Sequence, residues 1–290
     1  LSDGFDGIST FAKNRFMTLQ FIVWNVSPEI FSFPDWLPLL GGRGVRWYGM
    51  LFAASFVVGY FIMLKIFRRE KIDEKVLDEL STYMLIATVV GARLGHCLFY
   101  EPAYYLSHPI EILKVWEGGL ASHGAAIAII LALYFFSKKH HKHIFWTLDR
   151  IVIVVALAGF FIRTGNLMNS EIFGHITSLP WGFKFVNYHD PALNGDPRHP
   201  TQIYEGLFYL GSFFFLYHSY FKRKKGEQLG YIFGMFLILI FGIRFIVEFL
   251  KEPQVGFESS MALNMGQWLS IPFVLAGAYI LYWGREKRSN

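Results

Sequence analysis

The sequence predicts an all-α polytopic membrane protein with about seven transmembrane helices and a small external head segment, forming a single integral membrane domain over residues 1–290. Three observations carry this expectation. The chain is 53% hydrophobic and 19% aromatic, and only 17% of its residues are charged, against about 25% in soluble domains. Its apolar residues gather into seven segments, about 48–67, 80–100, 119–137, 146–163, 203–221, 229–250 and 266–284. Most are near the roughly 20 residues that a helix needs to cross the hydrocarbon. The linkers between them alternate between basic-rich and basic-poor.

That alternation sets the expected topology. Linkers 65–75, 138–142 and 222–225 and the tail 285–288 hold five, three, four and three Lys or Arg residues. Linkers 101–118, 164–202 and 251–265 hold one, two and one. Basic linkers stay in the cytoplasm, so the N-terminus is expected outside and the C-terminus in the cytoplasm. The net charge of +5 is therefore a topology signal, and no nucleic-acid partner is expected.

Residues 1–47 form the expected external N-terminal segment. Leu1 to Arg15 is polar and reads as lacking a cleavable signal peptide. Residues 16–24 are apolar but too few to span, and Pro28, Pro34 and Pro38 follow, so an external strand or interfacial segment is expected. Residues 48–284 make the seven-helix bundle. His140, His141 and His143 fall in a basic linker and read as a solvated flank. The stretch 174–202, rich in Gly, Pro, Asn and His, is expected to be a long external loop, a length usually tied to function or disorder. Cys97 is the only cysteine; it allows no internal disulfide and reads as packing.

Ionisable residues within the apolar segments point to the function. A charge at that depth costs about 2.5–3.5 kcal/mol on insertion scales, so it marks a site by default. On the expected topology, Arg163 and Asn166 lie at the outer end of the fourth span, and Arg244 and Glu248 in the last two turns of the sixth. Arg93 lies roughly 10 Å below the outer end of the second span, at 1.5 Å per residue. Tyr48, His123 and Glu205 stand at the outer starts of the first, third and fifth. Apart from Asp149 and Arg150 at an inner edge, these groups gather in the external half. They imply an outward-facing polar cavity with a positive bias, three arginines against Glu171, Glu205 and Glu248. Arginine's planar donor fork suits phosphate, so a phospholipid headgroup is the expected ligand. Arg244 and Glu248 share one helix face, and a purely structural pair between them is the competing reading. His123 is the side chain whose ordinary pKa suits acid–base work near neutrality. Metal-ligand spacing, HExxH and GxSxG are all lacking, so no metal is expected, and a nucleophile would arrive with the substrate.

Several stretches carry a resemblance. The run Gly159 to Gly174 includes Arg163, Gly165, Asn166, Asn169, Glu171 and Gly174. In chain order stand Arg46-Trp47-Tyr48-Gly49, Gly91-Ala92-Arg93-Leu94-Gly95, Val115-Trp116-Glu117-Gly118-Gly119 with Ser122-His123-Gly124, and Arg198-His199-Pro200-Thr201-Gln202-Ile203-Tyr204-Glu205. Arg244-Phe245-Ile246-Val247-Glu248-Phe249, Met265-Gly266-Gln267 and Ser270-Ile271-Pro272 complete the set. Together, from about residue 46 to 280, they resemble the bacterial phosphatidylglycerol–prolipoprotein diacylglyceryl transferases.

The resemblance implies an enzyme of the bacterial cytoplasmic (inner) membrane with its site facing the periplasmic leaflet. That family moves the diacylglyceryl group of phosphatidylglycerol onto the lipobox cysteine of a prolipoprotein signal peptide, forming a thioether and releasing glycerol phosphate. By position, His123 would be the base, and Arg163 and Arg244 would hold the phosphate. Tyr48, Asn166, Glu171, Gly174 and Glu248 would bind the headgroup or orient the arginines. Arg93, Asn169 and Glu205 join them as binding candidates. No metal or organic cofactor is implied. The chain departs from the family at Ala125 and Ala126, at Ile162-Arg163-Thr164-Gly165, and at Ile240, where some members carry a tyrosine. The alternative is a transporter or flippase for an anionic lipid or solute.

Overall fold

A computed structural model describes residues 21–37, 41–188, 195–252 and 261–289. The polar start expected to lack a signal peptide, and the first part of the apolar stretch 16–24, lie outside the described residues.

Four short strands and eight α-helices are described: β1 Ile22–Trp24, β2 Glu29–Ser32, β3 Gly44–Arg46, α1 Trp47–Arg69, α2 Glu74–Phe99, α3 Pro102–Ser107, α4 Ser122–Lys139, α5 Ile144–Met168, β4 Phe183–Phe185, α6 Thr201–Phe221, α7 Tyr231–Val247 and α8 Met265–Ser289. Among the described residues, five helices are long and apolar enough to cross a bilayer: α1, α2, α5, α8 and α7 with its 3-10 extension to Leu250. The chain is a mostly helical, polytopic membrane protein. The expected count of about seven spans exceeds these five by α4 and α6, and the reason is local. Polar residues stand toward both ends of these helices, Ser122, His123, Lys138 and Lys139 on α4 and Thr201, Gln202, Glu205 and His218 on α6, and dilute their apolar middles.

The helices pack antiparallel, with the basic linkers at one end. There, Asp149 on α5 accepts the backbone N–H of Gly230 at 2.7 Å and of Phe233 at 2.8 Å. Gly230 sits at φ 81°, where a side chain would be strained, and opens α7. Asp149 therefore satisfies orphan donors of α7 from a neighbouring helix. Beside it, Arg150 meets Glu70 at 2.6 Å and stacks 4.2 Å from the Trp146 ring, while Tyr220 donates to the same carboxylate. The apolar core above this layer includes Ile66, Phe67, Leu80, Phe136, Ile153, Leu216 and Ile232, all at most 1% exposed.

α2 and α4 approach through glycines. A Cβ on Gly95 would stand 2.6 Å from the Gly124 Cα; such close backbones are the usual means of helix association in lipid. An apolar cavity of about 510 Å³ runs between α1, α2 and α5 from Met63 and Leu77 up to Ile162.

At the opposite end lies a small head. β1 pairs in parallel with β4, and β2 with β3 antiparallel. The Trp24 indole donates to the Leu167 carbonyl at 2.9 Å and seats the head on α5. Phe173, Phe183, Phe185 and Tyr188 pack beneath it. Part of the expected long loop is thus ordered strand, with bridges joining Arg198 to Ile176 and Phe183; residues 189–194 lie outside the described residues.

Candidate active site

The site starts where α5 ends. Ser170 at φ 55° and Ile172 at φ 60° both lie in the left-handed region. For a β-branched residue such as Ile172 this is a genuine outlier, held only by its surroundings. Those surroundings are specific. Gln202 donates to the Glu171 carbonyl at 2.6 Å, and Thr201 to the Ile172 carbonyl at 2.8 Å. The turn folds Glu171 back toward the helix, where its carboxylate accepts from Asn166 at 2.8 Å and Asn169 at 3.2 Å. The Asn166 oxygen in turn accepts from Arg163 at 3.0 Å.

A second chain of charges continues from Arg163. Its Nε stands 2.6 Å from Oε2 of Glu205, a residue with no exposed surface. The other Glu205 oxygen meets Lys251 Nζ at 3.0 Å, and the same ammonium meets Glu248 at 3.1 Å. Three helix ends, of α5, α6 and α7, and the segments that follow α5 and α7 therefore contribute to one continuous polar network, Asn169–Glu171–Asn166–Arg163–Glu205–Lys251–Glu248.

Arg244 stands apart. Its Nε is buried and has no hydrogen-bond partner among the described residues. The Tyr209 hydroxyl lies within electrostatic reach of both Arg163 and Arg244. Gly159 makes room for that ring, since a Cβ there would stand 2.8 Å from it. The competing expectation of a structural Arg244–Glu248 pair fails: Glu248 turns to Lys251 instead. Tyr48, on the first turn of α1, lies against Gly165, whose Cβ would stand 2.8 Å from the ring, and senses the charges of Glu171 and Arg163.

Gly174 occupies a different position from the polar residues. Its N–H donates to the His199 carbonyl at 2.8 Å, and it bridges to Lys251. A Cβ there would overlap the Leu250 carbonyl, so glycine permits the approach that sets Lys251. His199, in the loop before α6, has its imidazole pKa below the ordinary value through burial and then the nearby His175.

Arg93 and His123 also stand outside this network. Arg93 is 3% exposed and its guanidinium is committed to loop carbonyls: Glu111 and Gly118 at 2.6 Å each, and Ile112 at 3.0 Å. The inferred cluster of three arginines is thus two arginines and a lysine. Arg93 instead anchors the segment leading to α4, where Gly118 and Gly119 take φ 92° and 65°. His123 is exposed, with ring contacts to Phe99 at 5.2 Å and Tyr100 at 5.8 Å. Lys251, Tyr209 and Gln202 escaped the sequence reading. Lys251 reads as a loop charge, and Tyr209 as one aromatic among many. Glu248 three residues before Lys251 was the available signal.

These features define a class: a polytopic membrane protein whose ionisable groups meet at one end of the bundle, with the buried Nε of Arg244 lacking a hydrogen-bond partner among the described residues. The model of the prolipoprotein diacylglyceryl transferase family matches residues 36–283. The chain is 45% identical over 270 residues to a Tolumonas auensis phosphatidylglycerol–prolipoprotein diacylglyceryl transferase, covering 93% of this chain and 100% of that one. Proteins of the same name from Chloroherpeton thalassium and Porphyromonas gingivalis are 44% and 46% identical, each match covering 91% of this chain and 95% of the relative. The chain belongs to the prolipoprotein diacylglyceryl transferase family. It is a transferase and an integral inner-membrane protein.

Proposed function

We propose that the chain transfers the diacylglyceryl group of phosphatidylglycerol to the lipobox cysteine thiol of a prolipoprotein, the first step of lipoprotein maturation. The sulfur attacks the lipid glycerol carbon that bears the phosphate ester. A carbon–sulfur bond forms, the carbon–oxygen bond breaks, and glycerol phosphate leaves with the electron pair. A free thiol has a pKa near 8.5, so a base that takes its proton raises the thiolate fraction. His123, exposed at the start of α4, fills that role. Arg244 and Arg163 hold the phosphate as charge develops on it. Glu205 and Asn166 orient Arg163, Glu171 and Asn169 brace Asn166, Glu248 pairs with Lys251, and Tyr48 closes the pocket from α1. Gly174 lets the Leu250–Lys251 backbone approach.

The observation that carries this reading is the pairing pattern. Arg163 is ion-paired with Glu205 at 2.6 Å, while Arg244, an expected phosphate ligand, has no carboxylate paired with it among the described residues and a buried Nε without a hydrogen-bond partner. Orientation completes it. The seven long helices, α4 and α6 included, each cross the membrane. An 18-residue helix such as α4 reaches about 27 Å, close to the hydrocarbon thickness of roughly 30 Å. The basic end faces the cytoplasm with the C-terminus, and the N-terminal segment 1–47 and the site face the periplasmic leaflet. Residues 1–290 act as a single membrane domain, with 174–202 as an external loop over the site.

Purified protein mixed with phosphatidylglycerol and a lipobox peptide should yield a thioether-linked lipopeptide and glycerol phosphate in equal amounts. Lipid movement across the bilayer without either product would replace this reading with transport.

A further inference from the structure

Lys251 follows the last turn of α7 in a stretch that reads as a loop, yet it is only 4% exposed. One ammonium serves two carboxylates, Glu205 at 3.0 Å and Glu248 at 3.1 Å. Glu205 is already committed to Arg163. Glu248 has an alternative: Arg244 lies four residues earlier on the same helix face, a spacing at which opposite charges ordinarily pair. The structure shows the alternative refused, with Glu248 on Lys251 and the Arg244 Nε buried without a partner.

The charges explain the arrangement. Two buried carboxylates with one partner removed are strongly destabilised and seek the remaining cation. Without the ammonium, that cation is Arg244. A guanidinium occupied by Glu248 offers fewer donors and less net positive charge to a phosphate. Gly266 reinforces the geometry, since a Cβ there would press on the Glu248 carboxylate; its absence leaves Glu248 room to point at Lys251.

We infer that Lys251 is a positioning residue that holds Glu248 and Glu205, and so keeps Arg244 open to the anionic group of the lipid substrate. The inference rests on the reading that the two arginines receive the phosphate. It predicts an effect on lipid binding rather than on the bond-breaking step.

The test uses the full chain, phosphatidylglycerol in mixed micelles and saturating lipobox peptide. Lys251→Met should raise KM for the lipid about tenfold, with kcat changed by about threefold at most. Lys251→Arg, which keeps the charge, should restore KM. Binding of glycerol 1-phosphate, followed by calorimetry, should weaken by the same factor in Lys251→Met; this readout does not depend on turnover. A wild-type chain that binds glycerol 1-phosphate but forms no thioether would overturn the transferase reading and leave the lysine comparison intact. Unchanged KM and unchanged binding in Lys251→Met, or a loss confined to kcat, would overturn the positioning role. If Lys251→Met does not insert, Lys251→Gln, which keeps a hydrogen-bond donor but not the charge, carries the same test; a tenfold rise in lipid KM supports the proposal, and an unchanged KM sinks it.

Discussion

Gly174 lies directly against the carbonyl of Leu250, with no room for a methyl group between them. This contact brings the backbone of Lys251 beside the turn that follows α5. Gly174→Ala must push the two segments apart, and overpacking of this kind costs about 1–3 kcal/mol. The expected outcome is a lowered melting temperature together with a rise in lipid KM, because Lys251 moves with Leu250. A variant with wild-type KM would show that Lys251 is placed by other contacts.

Arg163→Lys should lose activity almost as fully as Arg163→Ala. A lysine cannot reach Glu205 and Asn166 at once with a planar fork. Removing one preorganised donor to a developing charge costs about 10²–10³ in rate. Single-turnover measurement of thioether formation checks this. His123→Ala should fall as far, with normal binding of glycerol 1-phosphate. Retained transfer in the His123 variant would move the base elsewhere.

Tyr209→Phe removes the phenol within electrostatic reach of both arginines while leaving the ring against Gly159. A hydrogen bond to a charged group contributes about 1.5–3 kcal/mol. Transfer should drop by about tenfold or more, with little change in thermal stability. Unaltered kinetics would make Tyr209 a packing residue only.

Arg93→Met should behave differently. Its guanidinium ties Glu111, Ile112 and Gly118, so its loss frees the segment before α4 and leaves three carbonyls without their charged donor. Stability should fall by about 2 kcal/mol or more, and glycerol 1-phosphate affinity should stay near wild type. A selective loss of that affinity would return Arg93 to the binding site.

His199 gives a pH dependence with a definite sign. Its folded pKa is lowered by burial and by His175, so below the ordinary histidine value, about 6.5, the unfolded chain binds more protons. Stability is therefore fully present above that value and is lost as pH falls toward the folded pKa. In detergent, wild type should lose stability between neutral and mildly acid pH more steeply than His199→Gln. Equal slopes would assign the effect to other groups.

Much of the architecture was legible because the bilayer makes every span announce itself as an apolar run and every basic linker as an end. Arg163, Glu205 and Glu248 stood out as charges at the ends of apolar runs, and the structure joins them with Asn166 and Glu171 in one polar network. Pairing was not legible. Nothing in the spacing of Arg244 and Glu248 says that the pair is refused, since that depends on a lysine delivered by the bridge to Gly174. The partners of Arg93 were not legible either, since they are carbonyls of a loop that folds back over it. The strained Ser170–Ile172 turn left no mark in residue type, because isoleucine is an unfavourable choice there.

The cap that Asp149 provides across to α7 has a mechanical meaning. α5 is pinned at its basic end by Asp149 to Gly230 and by Arg150 to Glu70, and near its other end by Arg163 to Glu205. A slide of one turn along its axis, about 5.4 Å, would break all three. The depth of Arg163 is thus bolted at both ends of the rod that carries it, and on the proposed reading a substrate must come to the height of the arginine.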